Sequence, residues 1–87
     1  MREIQLPQVN WNGTSRDSLF NQYLAAIRGL EGAMEILART APHGRDYQTL
    51  ADPSEAFAIA VEQHRDRLVA LHKVSEELHA LAESVQP

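Results

Sequence analysis

Apolar residues recur along two stretches of this chain at spacings that alternate between three and four. In the first, Phe20, Tyr23, Ile27, Leu30, Met34, Leu37 and Ala41 mark the seam of a helix packed against other helices. In the second, Phe57, Val61, His64, Leu68, Leu71, Ser75, Leu78, Ala82 and Val85 do the same, and Val74 and Leu81 widen the apolar face. Between them lies Ala41-Pro42-His43-Gly44-Arg45-Asp46-Tyr47. Pro42 removes a backbone donor and disfavours helix at Ala41, and Gly44 permits positive φ, so the first helix is expected to stop here and the chain to fold back. Asp52-Pro53-Ser54-Glu55 then supplies an N-cap, a Pro at the first helical position and an acid at the third.

The fold class that follows is all-α: an antiparallel two-helix hairpin with an extended N-terminal arm. The single domain divides into an arm (1–13), a first helix (14–41), a loop (42–52) and a second helix (53–85). In the arm, Ile4, Leu6 and Val9 alternate loosely and Pro7 argues against a central strand. Trp11 is expected to anchor the arm by packing, and Asn12-Gly13 to turn the chain. Thr14 is the expected N-cap of the first helix, with Asp17 completing an approximate capping box.

At about 1.5 Å per residue the second helix should run nearly 50 Å and the first about 40 Å, leaving the C-terminal end of the second overhanging. Two helices cannot cover each other's seam and also hide Ala58, Val69, Val74 and Leu81, so apolar surface is left over and a homo-oligomer, a dimer or larger, is expected to bury it. A flank of small residues on the first helix, Ala25, Ala26, Gly29, Gly32 and Ala33, suits close approach by another helix. Folding the hairpin symmetrically about its loop sets His64 near Glu31, where a hydrogen bond would satisfy the imidazole.

Composition narrows the classes of partner. The 87 residues carry eight Lys and Arg against twelve Asp and Glu, a net charge of −4 that offers no basic footprint for nucleic acid. There is no cysteine, which excludes disulfides and thiolate metal sites. No apolar run approaches a membrane span, so no membrane partner is expected and a cytoplasmic location is the default.

Conventional catalytic chemistry is absent from the pattern. Ser15, Ser18, Ser54, Ser75 and Ser84 lack a nucleophile turn, and there is no Gly-rich phosphate loop. His72, Glu76, His79 and Glu83 share one helical face, and Glu76 to His79 has the Glu-x-x-His spacing of di-iron bundles. Such sites need facing carboxylates, and the first helix is expected to offer only Asp17 there. A solvated face without metal or other cofactor is the expectation, and the chain is read as a non-enzyme. The loop is the best candidate site: Arg45 can grip a phosphate or carboxylate, Tyr47 can stack, and backbone amides near Gly44 can face an anion.

Asn12-Gly13-Thr14-Ser15 before a helix, together with Ala41-Pro42-His43-Gly44-Arg45-Asp46-Tyr47 after it, resembles a group of small phage and prophage proteins. These have an Asn-Gly-Thr start and an Ala-Pro-Asn-Gly-Arg-Asp-Tyr-Tyr loop leading into a second long helix. This chain departs from that pattern with His43 for Asn and Gln48 for the second Tyr. The resemblance implies a viral origin and the host bacterial cytoplasm, but no reaction. By analogy with small helical phage proteins, the expected function is non-enzymatic anti-defence: a sponge for a small phosphorylated, nucleotide-derived immune signal. Its site would combine His43, Gly44, Arg45, Asp46 and Tyr47 with Asn12, Thr14 and Trp11 brought across an antiparallel subunit contact. The alternative is an inhibitor that docks a host or defence protein on its exposed helical face.

Overall fold

The computed structural model describes residues 3–87; Met1 and Arg2, part of the expected arm, lie outside them. Two helices, α1 (Arg16–Ala38) and α2 (Pro53–Ser84), pack against each other and are joined by a connection holding one 3₁₀ turn, Gly44–Asp46. The described residues form no strand.

Each helix end has an identifiable cause. Ser15, with φ −62° and ψ 155°, caps α1 by accepting from the Ser18 amide at 3.2 Å, so the helix starts one residue later than a Thr14 cap would place it. Asn10 rather than Asn12 organises the preceding turn: its carbonyl accepts from Gly13 N at 3.2 Å and its side chain from Asn12 N at 3.0 Å. Helix α1 ends at Ala38, three residues short of the expected Ala41. Arg39 N and Thr40 N turn to the tighter acceptors Ile36 O and Leu37 O, and the Thr40 hydroxyl donates to Leu37 O at 2.7 Å. Ala41 is therefore exposed in the connection and does not extend the seam. Asp52 caps α2 by accepting from Glu55 N at 3.2 Å, with Pro53 at the first position. No residue in the connection has positive φ, so Gly44 opens the 3₁₀ turn without using its left-handed freedom.

Packing follows the seam. On α2 every position from Phe57 to Val85 in the alternating series is buried or half-buried, as are Phe20, Tyr23, Ile27, Leu30, Met34 and Leu37 on α1. The tightest packing is at the C-terminal end of α2, where Val85 is 1% exposed and Ala82 is buried. Ile4 and Leu6 of the arm share a cleft there with Ala80, Glu83 and Ser84. That end therefore does not overhang. Leu37 and Thr40 share a cavity with Ala60, His64 and Arg67, which aligns the end of α1 with the end of the second turn through the fourth turn of α2. The excess length of α2 lies at its N-terminal end, beside the connection.

The hairpin measures 62 × 27 × 16 Å, with a radius of gyration of 18.7 Å against about 12 Å for a compact domain of this length. It exposes 6869 Å², where a compact monomer of this size would expose about 5,100 Å². Leu6, Ile36, Leu50, Ile59, Val69 and Val74 stand in that surface. Trp11 is 103% exposed, so it does not anchor the arm. A Cβ added at Gly29 or Gly32 would meet nothing within 4 Å, and the small-residue flank of α1 therefore faces outward with no helix of the same chain upon it.

Ile27→Ala is expected to lower the unfolding free energy by roughly 2–5 kcal/mol, since the side chain is 5% exposed at the centre of the seam. Loss of the Asp52 cap in Asp52→Ala should cost about 1 kcal/mol. Urea titration followed by circular dichroism measures both, and a loss below about 0.5 kcal/mol for Ile27→Ala would be inconsistent with this seam.

Candidate functional site

The connection is folded onto α2 rather than spanning the gap between helices. His43 is extended, and its ring Nδ1 accepts from Arg45 N at 3.3 Å, an N-cap for the short 3₁₀ turn. Asp46 N donates to His43 O and Tyr47 N to Gly44 O, both at 3.0 Å, and Leu50 N donates to Tyr47 O at 3.2 Å. These bonds direct the half-buried Tyr47 ring at Phe57 in the second turn of α2, with centroids 6.2 Å apart and planes tilted by 47°.

Between the end of α1, this connection and α2 lies a cavity of about 440 Å³. Thr40, Asp46 and Tyr47 line it from one side, and Gln63, His64 and Arg67 from α2. Its volume lies within the roughly 300–1,000 Å³ typical of small-molecule sites. A donor, an acceptor and a ring thus meet in one concavity.

His64 is the unusual member. It is only 9% exposed, and its Nε2 is buried without a hydrogen-bond partner, the one such side-chain atom among the described residues. Leaving a polar atom in this state costs roughly 1–3 kcal/mol, and this nitrogen is closed off from the cavity as well as from solvent. The expected bond from His64 to Glu31 is not made. Glu31 instead meets His79 Nε2 at 3.2 Å, about four turns further along α2 than His64, because the connection runs beside α2 and displaces α1 along it.

That contact also revises the His72 to Glu83 face. Its opposing carboxylate from α1 is Glu31, not Asp17, and it is engaged with His79, while His72 pairs with Glu76 at 3.1 Å within α2. All four side chains are more than half exposed, where such pairs add little stability. No group of three or more His, Asp or Glu among the described residues is placed to hold a metal ion.

Of the loop residues singled out from the sequence, Asp46 and Tyr47 line the cavity. His43 uses its ring to cap the turn, Gly44 begins that turn, and Arg45 is exposed outside the lining. Asn12, Thr14 and Trp11 lie at the far end of α1, whose 23 residues span about 35 Å. Trp11 borders a separate cleft with Val9 and Asn10. Within one chain the two groups do not meet. Thr40, Gln63, His64 and Arg67 take their place. The sequence signal for the α2 members is a His in an apolar seam with a Gln just before it and an Arg three residues on, the spacing that puts the Arg on the same side of a helix. No family model, curated protein or solved structure matches the chain, so its chemistry is read from these side chains alone.

Replacing the orphaned imidazole with an apolar group should relieve its burial. His64→Leu is expected to raise the unfolding free energy by about 1 kcal/mol in chemical denaturation. A loss of 2 kcal/mol or more would mean that the imidazole is already satisfied in the native protein.

Proposed function

We propose that this protein is a non-enzymatic binding protein that sequesters a small phosphorylated, nucleotide-derived ligand in the cavity between the connection and α2. The single observation that carries the reading is a cavity wall that presents Arg67, Asp46 and Tyr47 together beside His64. An arginine fork suits phosphate oxygens, and a half-buried phenol ring suits a base. Binding is favoured over turnover because His64 Nε2 is sealed from the cavity and makes no hydrogen bond to the Asp46, Thr40 or Tyr47 side chains that line it, so no positioned acid or base faces a ligand there. In a phage context, as the loop resemblance implies, holding a signal in the host cytoplasm would blunt a nucleotide-based defence.

Self-association belongs to the same proposal. The surface in excess of a compact monomer is about 1,700 Å² for one chain, roughly twice the 800 Å² or so that each partner buries in a standard interface. Gly29 and Gly32 cost α1 roughly 1 kcal/mol each relative to Ala, and nothing within the chain offsets them, whereas close approach of a second copy would. The exposed Ile36 and Val69 also favour a second reading, in which a host or defence protein docks on the helical face.

Native mass spectrometry of protein purified from cells separates these readings. The expected spectrum is a multiple of the chain mass with a phosphorylated small molecule retained; Arg67→Ala should lose the ligand and keep the stoichiometry. Gly29→Ala should stabilise the isolated helix and weaken the assembly. A ligand-free monomer that carries one defined host protein would replace sequestration with inhibition.

A further inference from the structure

Resting on that binding role, we infer that the cavity selects its ligand by charge, taking a nucleotide-scale phosphodiester and turning away polyphosphates. Arg67 and Asp46 line the same cavity with opposite signs. Among the described residues neither forms an ion pair, with the other or with any third group, so each keeps its charge free for a ligand. A ligand that satisfies both must be two-ended. It brings an anionic oxygen to the guanidinium, with His64 beside it on α2, and a hydroxyl or amino hydrogen to the Asp46 carboxylate.

A phosphodiester within a nucleotide has this form: one negative charge at the phosphate and donor hydrogens on sugar and base. Additional phosphates bring negative charge into a concavity whose free acid is Asp46 and whose cationic side chain is Arg67 alone. Asp46 and Arg67 are both exposed, so the repulsion is that between hydrated charges at short range, and it grows with each added phosphate. The volume of about 440 Å³ sits toward the small end of ligand sites and suits one nucleotide unit, with Tyr47 as the stacking surface. Asp46 is thus the specificity-determining residue, and Arg67 supplies affinity.

Calorimetric titration of the full chain with 3′,5′-cyclic AMP, ATP and adenosine tests this, using the wild type, Asp46→Asn and Arg67→Gln. Cyclic AMP should bind at least about ten-fold more tightly than ATP, the scale of one charge-assisted contact. Asp46→Asn should narrow that gap by strengthening ATP, and Arg67→Gln should weaken cyclic AMP by about ten-fold while changing adenosine less than about two-fold. ATP binding as tightly as cyclic AMP, or a gap that survives Asp46→Asn, overturns charge selection and leaves the binding role standing. No binding by any of the three, while protein from cells retains a phosphorylated ligand, also overturns the inference alone; with no retained ligand, both fall.

Discussion

Everything in this molecule depends on one seam. Two helices side by side share a single line of contact, and the alternating three-and-four spacing places about half of the large apolar residues on it. Among the described residues only Ile27, Ala82 and Val85 are buried apolar residues, because a hairpin has no third wall to close over the others. Burial of this extent leaves little margin against the conformational entropy of an 87-residue chain. The same thinness explains why polar groups can enter the seam. His64 and Ser75 are buried in it, and a polar residue in a helix seam helps to set the alignment of the pair.

Alignment, in turn, creates the cavity. The connection does not bridge the helices by the shortest path; it runs beside the first turns of α2 and leans Tyr47 on Phe57. Helix α1 then meets α2 well inside its length, and the step where α1 ends is the concavity that holds Asp46, His64 and Arg67. Glu31 and His79 join the helices on the far side of this step at a distance consistent with a hydrogen bond. Being exposed, that pair adds little energy, but it agrees with the displaced register and with no symmetric one.

Periodicity made the hairpin legible in the sequence, since a repeat of apolar residues is a property of each segment alone. The Asp52-Pro53 helix start was legible for the same reason: a cap needs only its own neighbours. What periodicity does not encode is how far one helix slides along the other. Symmetric folding about the loop pairs His64 with Glu31, whereas the bonds at Thr40 and the 3₁₀ turn shorten α1 and lengthen the connection, shifting the partners. Trp11 was misread because size and apolarity favour burial on average, yet an arm residue just before a turn has no neighbour obliged to cover it. Of the eight residues expected at a site, Asp46 and Tyr47 line the cavity. The α2 half depends on register and was not legible.

The docking of the arm has a consequence for how the molecule breathes. Ile4 and Leu6 share a cleft with Ala80, Glu83 and Ser84, so this approach closes nearly the whole length of the described chain, whereas the hairpin closes over its own short connection. Loop closure costs more entropy the longer the loop, and the arm contributes no backbone ladder in return. The arm's closure is therefore the more costly of the two to hold, and local opening is expected to begin at the arm while the seam stays shut.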